Sequence, residues 1–273
     1  MSVEGRVFAV TGGGSGMGAA ICRLLAERGA RAVCAADISS TGFVALKESI
    51  AQVNPLTELH CTPLDVTKPT AVDEWIQSII KNFGDLHGAA NVAGLPQVIG
   101  ARKAPNILEE TDEMWSRIMG VNLSGVFYCT RAEINVMKDL SPVDRAIVNI
   151  SSMASLKHDP DIYAYRTSKA ACAHFSQSVA KDTHPFGIRV NCVSPASTQT
   201  PMMKEFIGGN LAQLEDWKTR GWQMLDPEDV ARVVVWFLSE DSKSVFGVNI
   251  NVGAALPWTC HSIVHFVFTT WPT

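Results

Sequence analysis

The sequence predicts an α/β protein built as one domain around a doubly wound, mostly parallel sheet. Three observations predict it. Short apolar runs alternate with longer amphipathic runs along most of the 273 residues, the order expected when each strand is followed by a helix that packs back on the sheet. The short runs are almost continuously apolar, as strands covered on both faces should be. A glycine-rich turn joins the first strand to the first helix. With 47% of residues hydrophobic, a chain of this length can bury one large core.

In chain order, Val7-Phe8-Ala9-Val10 reads as a strand and Met17 to Arg28 as a helix. Ala32 to Ala36 is a second strand ending at Asp37, and Phe43 to Gln52 a second helix. Glu58 to Leu64 is a third strand, followed by helical Val72 to Asn82 and a fourth strand at Gly88 to Val92. A long helix is expected over Met114 to Met137, then a strand at Arg145 to Ile150. Tyr163 to Asp182 reads as helix, Ile188 to Val193 as strand, Val230 to Leu238 as helix and Val248 to Val252 as the closing strand. Two stretches break the alternation. Leu95 to Glu110 is a loop containing Pro and Gly, and Ser194 to Met224 reads as a longer loop. Both follow strand C-terminal ends, where ligands bind in such sheets.

The net charge is −4. With no dense Lys/Arg cluster, nucleic acid is not expected as a partner. Cys22, Cys34, Cys61, Cys129, Cys172, Cys192 and Cys260 are scattered. None has metal-ligand spacing, so no metal site is expected, and they read as reduced, mostly buried thiols of a cytoplasmic protein. The start lacks the apolar core of a signal peptide. The segment 256–273 is apolar but short for a membrane span and polar at its start. It is expected to pack on the body of the protein or on a neighbouring subunit, with 1–255 forming the domain proper.

The turn Thr11-Gly12-Gly13-Gly14-Ser15-Gly16-Met17-Gly18 lies between a strand and a helix. Glycines there let a pyrophosphate approach the backbone, and the helix N-terminus offers free N–H groups to negative charge. Asp37 ends the second strand nineteen residues past Gly18. A carboxylate in that place suits ribose hydroxyls and repels a 2′-phosphate, and no Arg follows it at Ile38 or Ser39, so NAD is favoured over NADP. Asp65, at the end of the third strand, reads equally as an adenine-facing carboxylate or as a turn aspartate.

Tyr165 and Lys169 lie four residues apart, and Ser152 sits thirteen residues before Tyr165. Positions i and i+4 share a helix face. A phenol titrates near pH 10 in isolation, and a neighbouring cation favours its phenolate. The pair therefore suits general acid–base chemistry at an oxygen. Tyr163, six residues from Lys169, falls off that face and is expected as a pocket wall.

Together these pieces resemble the short-chain dehydrogenase/reductase family in its single-domain branch, from Thr11 to about Gly247. Thr11-Gly12-x-x-x-Gly16-x-Gly18 matches the family's TGxxxGxG, and Asn91-Val92-Ala93-Gly94 matches its NNAG with Val92 in place of Asn. Asn149-Ile150-Ser151-Ser152, Tyr165-x-x-x-Lys169 and Asn191-Cys192-Val193-Ser194-Pro195 match three further motifs, with Ala196 where Gly is usual. Asn122 stands on the long central helix at the place of a fourth catalytic residue. The resemblance implies a Rossmann-like fold and hydride exchange between a nicotinamide and a substrate interconverting as alcohol and ketone; the apolar residues Met202, Met203, Phe206, Trp217 and Trp222 suggest a bulky, mostly apolar secondary alcohol or ketone, such as a terpenoid, steroid-like or polyketide ring. The resemblance also implies that Tyr165 moves the proton, Ser152 hydrogen-bonds the reacting oxygen, Lys169 supports Tyr165 and the nicotinamide ribose, and Asn122 holds a relay water. Cofactor contacts are expected at Thr11, Gly12, Gly14, Ser15, Gly16, Met17, Gly18, Asp37, Ile38, Asp65, Val66, Asn91, Ala93, Gly94, Tyr165, Lys169, Pro195, Ser197, Thr198 and Thr200.

The substrate walls are expected from Met153 to Ile162, Leu95 to Asn106 and Ala196 to Met224, with Met202, Met203, Phe206, Trp217 and Trp222 as an adaptable lid. A non-redox isomerase, dehydratase or cyclase and a silent dinucleotide-binding protein remain alternatives on the same scaffold. The family resemblance further implies a homodimer or homotetramer built through the helices that carry Asn122 and Lys169.

Overall fold

The computed structural model describes residues 3–141, 143–219 and 223–253, with the side chains of Gln213, Trp217 and Lys218 outside the described set. The segment 256–273 and Trp222 lie outside it too, and with them the expected packing of the tail.

Seven strands, β1 (Val7–Thr11), β2 (Ala32–Asp37), β3 (Glu58–Pro63), β4 (Gly88–Asn91), β5 (Arg145–Ile150), β6 (Ile188–Pro195) and β7 (Asn249–Val252), form one parallel sheet in the order β3-β2-β1-β4-β5-β6-β7. The helices are α1 (Gly16–Glu27), α2 (Phe43–Val53), α3 (Pro69–Phe83), α4 (Asp112–Met119), α5 (Val126–Met137), α6 (Tyr163–Thr183), α7 (Pro201–Phe206), α8 (Leu211–Thr219) and α9 (Pro227–Leu238). The sheet has two buried faces, and the alternation of side chains along a strand divides them. Phe8 and Val10 of β1 join the core beneath α1, α2 and α9, while Val7 and Ala9 join the core beneath α3 and α5. This double burial is why the inner strands read as nearly unbroken apolar runs, whereas the edge strands β3 and β7 are partly exposed and carry polar residues.

The strand order reverses between β1 and β4, and the crevice at their C-terminal ends is where such sheets take ligands. The opposite end is closed by buried cations. Arg145 donates to Asp85 at 2.6 Å and to the Leu86 carbonyl at 2.6 Å, and Arg189 clasps Asp144 at 2.7 and 2.9 Å.

Two features differ from the sequence expectation. The long central helix is interrupted by a π-helical turn at Gly120–Gly125 between α4 and α5. Such a turn adds a residue to the helix without breaking it, so the apolar spacing hides it. The stretch 194–224, expected as loop, contains α7 and α8. Pro201 at the first position of α7 and the left-handed Gly208 and Gly209 after it punctuate this stretch so closely that it reads as a loop.

Candidate active site

The crevice begins in the glycine turn. Gly12 is left-handed (φ +66°), and a β-carbon on it would meet the Ala93 backbone nitrogen at 2.9 Å. A β-carbon on Gly18 would stand 2.0 Å from the Gly12 carbonyl oxygen. The sequence therefore needs glycine at both places to bring the turn, the start of α1 and the end of β4 together. Thr11 Oγ1 holds the seam by accepting from the N–H groups of Val92 at 3.1 Å and Ala93 at 3.3 Å.

Above this seam lies a cavity of about 720 Å³. Of the expected cofactor contacts, Gly12, Ser15, Gly16, Met17, Gly18, Asp37, Ile38, Asp65, Val66, Ala93, Gly94 and Thr200 line it. Asp37 is fixed there by two backbone donors, Gly14 N–H to Oδ2 at 3.0 Å and Ser39 N–H to Oδ1 at 3.0 Å. Asp65 combines both of its sequence readings. It faces the cavity, and its Oδ1 accepts from Thr67 N–H at 2.9 Å and Thr67 Oγ1 at 2.7 Å as a turn aspartate does. Burial would raise the Asp65 carboxyl, but these hydrogen bonds and Lys68 outweigh it and hold it below its ordinary range. Ser116 and Arg117 of α4 and Glu205 of α7 also line the cavity, and no motif in the sequence marks them.

A second cavity, of about 330 Å³, adjoins the first. The two share Met17, Thr200 and Met202 as walls. Ser152 and Tyr165 line the second cavity together with Pro195, Ser197 and Thr198. Met203 and Phe206 of α7 close one side, and the Phe206 ring lies edge-on to Tyr165 with centroids 6.2 Å apart. Ser152 starts a short 3₁₀ turn, accepting from Ala154 N–H at 3.1 Å. Of the loop 95–110, Ile99 alone of the described residues reaches this wall, beside Met153, Ala154, Lys157, Asp159 and Ile162. Tyr163, expected as a wall, lines neither cavity, because the helix turns it away from the face that carries Tyr165.

Lys169 and Asn122 are buried beneath the junction. Lys169 Nζ donates to the Ile150 carbonyl at 2.9 Å, and the Lys169 carbonyl accepts from Ser151 Oγ at 2.6 Å. A β-carbon on Gly94 would lie 3.3 Å from Asn122 Oδ1 and 3.5 Å from Lys169 Nζ. That glycine is the thin wall between these side chains and the larger cavity. The π turn carries Asn122 inward, where its amide accepts from Leu95 N–H at 2.7 Å and donates to the Leu95 carbonyl at 3.0 Å.

Besides Lys169, three expected cofactor contacts, Thr11, Gly14 and Asn91, line neither cavity. Asn91 belongs to a buried polar network, with Nδ2 donating to Asn149 Oδ1 at 2.9 Å and to Glu133 Oε2 at 3.1 Å. Burial pushes the Glu133 carboxyl up to about 8, against the Asn91 hydrogen bond that lowers it.

A parallel sheet with its order reversed above a glycine cradle, and a tyrosine beside the crevice, are the features of a dinucleotide-dependent oxidoreductase. A family model described as enoyl-(acyl carrier protein) reductase matches residues 12–254. Over 259 residues the chain is 56% identical to the chanoclavine-I dehydrogenase of Penicillium roqueforti (strain FM164), covering 94% of this chain and 99% of that protein. It is 55% identical to the chanoclavine-I dehydrogenase of Aspergillus fumigatus over the same length and coverage. Among solved structures, the NAD+-bound xylitol dehydrogenase is similar at TM-score 0.79 and 25% identity, covering 93% of this chain and 99% of that one. The chain belongs to the short-chain dehydrogenase/reductase family. It is an oxidoreductase acting on CH–OH groups of a small molecule, and the family's cofactor is a nicotinamide dinucleotide.

Proposed function

We propose that this protein is an NAD(H)-dependent dehydrogenase that oxidises the alcohol of chanoclavine-I or of a molecule closely similar to it. The observation that carries this reading is 56% identity to a chanoclavine-I dehydrogenase across 99% of that protein's length. It replaces the terpenoid, steroid-like or polyketide ring expected from the sequence, and the secondary alcohol and ketone expected with it, by one named alcohol. The residues of the larger cavity fit a dinucleotide. The glycine cradle leaves room where β-carbons would stand, and the fixed Asp37 carboxylate suits a diol and repels a 2′-phosphate.

When bound, the dinucleotide supplies a two-electron acceptor for hydride. Tyr165 takes the proton of the substrate hydroxyl, and Ser152 donates to the same oxygen. An ammonium has three donors. Lys169 gives one to the Ile150 carbonyl, and its others serve the Tyr165 oxygen and the nicotinamide ribose. Asn122 fixes Leu95 through its paired amide contacts, and the family resemblance gives it the further role of holding a relay water.

The homodimer or homotetramer expected from the family resemblance is supported by an aromatic surface on α5 and α6. Phe127 is exposed there, edge-on to Phe175 at 6.0 Å and covered by Arg131 at 5.0 Å. A cytoplasmic location is supported by Cys22, Cys34, Cys61, Cys129, Cys172 and Cys192, all free thiols. Among the described residues no helix is long and apolar enough to cross a membrane.

The test is an assay with chanoclavine-I and with NAD+ and NADP+ in parallel, following reduced-nicotinamide absorbance. NAD+ should support turnover, and Tyr165→Phe should lower the rate by roughly 10²–10⁴ while leaving NAD+ affinity unchanged. Absence of reduced nicotinamide with chanoclavine-I would refute the reading of the substrate. Near-normal turnover in the variant would remove Tyr165 from the mechanism.

A further inference from the structure

We propose that Gln97 is a positioning residue for the reaction. With Glu110, Arg102 and Asp161 it forms a buried clamp that caps the catalytic helix α6 from another segment of the chain and so sets Tyr165 against Lys169. The inference rests on the proposed role of Tyr165 as the acid/base group.

The first N–H groups of a helix have no partner within it and are usually met by a Ser, Thr, Asp or Asn at the N-cap. At α6 the N-cap is Ile162, in the left-handed region (φ +48°) and with no side-chain cap. The missing acceptor comes from sixty-eight residues away. Gln97 Oε1 accepts the backbone N–H of Tyr165 at 3.1 Å. The orientation of that amide is fixed by chemistry. Gln97 Nε2 donates to both Glu110 oxygens at 2.8 Å, and the flipped amide would set oxygen against carboxylate and NH₂ against N–H.

Glu110 is held in turn. Arg102 lies 3.6 Å from it and donates to Asp161 at 2.6 Å. Asp161, itself left-handed (φ +88°), also accepts from Gly100 N–H at 2.6 Å and Ile162 N–H at 2.8 Å. A β-branched residue in that region is strained, and here the strained pair is pinned by the same carboxylate that anchors Arg102. Gln97 is 1% and Asp161 5% exposed, so water cannot readily replace these partners.

The same loop reaches Tyr165 by a second path. Ile99 N–H donates to the Phe206 carbonyl at 2.9 Å, and the Phe206 ring lies against Tyr165. Lys169 is secured independently, by Ile150 and Ser151. Loosening the clamp therefore moves Tyr165 while Lys169 and the larger cavity stay in place.

The test uses the full chain with chanoclavine-I and NAD+. Gln97→Met should lower kcat by about 10- to 100-fold, the scale of a misplacement near 1 Å, with NAD+ affinity unchanged. The acid limb of the kcat–pH profile for alcohol oxidation should move to higher pH, because a phenol further from its cation ionises less readily. The exchange Gln97→Glu with Glu110→Gln keeps an acceptor for Tyr165 N–H and the amide–carboxylate pair, and should restore both rate and profile. If Gln97→Met does not fold, Gln97→Glu alone takes its place, since it sets two carboxylates together, and the exchange should rescue it. Wild-type kcat and pH profile in the single variant would overturn the proposal. So would an exchange variant that binds NAD+ normally yet stays slow. Tyr165→Phe in parallel separates the two readings. Normal turnover there removes the mechanism and the clamp with it, whereas a dead Tyr165→Phe beside an unaffected Gln97→Met defeats the clamp alone.

Discussion

The placement of Tyr165 and Ser152 on one cavity wall, with Lys169 buried behind it, could be read from spacing. An i, i+4 pair shares a helix face whatever surrounds it. Asp37 could be placed at the larger cavity as the terminal carboxylate of β2. It gives a prediction at this scale. Asp37→Ser with Ile38→Arg removes a repelling carboxylate and adds a cation beside it, at Ile38, which is 75% exposed. The ratio of kcat/KM for NADP+ to that for NAD+ should rise by at least about tenfold, since one charged contact is commonly worth ~1.4 kcal/mol or more. An unchanged ratio would remove Asp37 from cofactor discrimination. Gln97 was not legible. Its partners are Tyr165 and Glu110, and no local pattern marks a glutamine in a Pro- and Gly-containing loop as a helix cap.

At the scale of elements, the strands and the long helices follow from periodicity and punctuation. Gly84, left-handed at the end of α3, stops that helix (φ +73°), and Pro227 opens α9. The glycine turn is fixed more tightly than its motif requires. Gly18→Ala would force a β-carbon to 2.0 Å from the Gly12 carbonyl, between backbone atoms that cannot rotate aside. Thermal melts should show a loss of about 1–3 kcal/mol or more, and NAD+ affinity should fall with it; a variant as stable and as avid as the wild type would show that the turn has slack. The network behind β4 and β5 carries a different signature. Glu133 titrates near its ordinary 4.5 when exposed and at about 8 when folded. Between those values the folded state binds the extra proton, so its contribution to stability falls as pH rises from about 4.5 through about 8. Among the described residues, Glu133 Oε1 and Asn91 Oδ1 are buried oxygens of this network without a hydrogen-bond partner. Glu133→Gln supplies a permanent N–H in place of the extra proton. Its melting temperature should fall less than that of the wild type between about pH 6 and pH 9, and equal falls would show that Glu133 does not hold its proton.

Across the whole molecule, the sheet order reverses between β1 and β4, and the larger cavity opens at that reversal, with the smaller one beside it at the ends of β5 and β6. Two cavities meet at Met17, Thr200 and Met202, one suited to a dinucleotide and one with Ser152 and Tyr165 on its wall. The fold class could be read in advance because burial of both sheet faces imprints itself on the five inner strands, β1, β2, β4, β5 and β6. The helices within 194–224 could not, since α7 and α8 are short and bounded by turn residues. The proposed assembly through α5 and α6 predicts that Phe127→Glu, a charge in an aromatic patch, shifts the protein toward monomer in sedimentation, and an unchanged mass would place the interface elsewhere.

The central claim is that hydrogen passes from the carbon of an alcohol to a nicotinamide while Tyr165 takes the hydroxyl proton. Chanoclavine-I deuterated at its alcohol carbon, incubated with NAD+ and the protein, tests it most directly by mass measurement of the recovered dinucleotide. One deuterium should appear in NADH for each carbonyl formed, and Tyr165→Phe should nearly abolish the transfer. Carbonyl product with no label in the dinucleotide, or equal labelling by the variant, would contradict it.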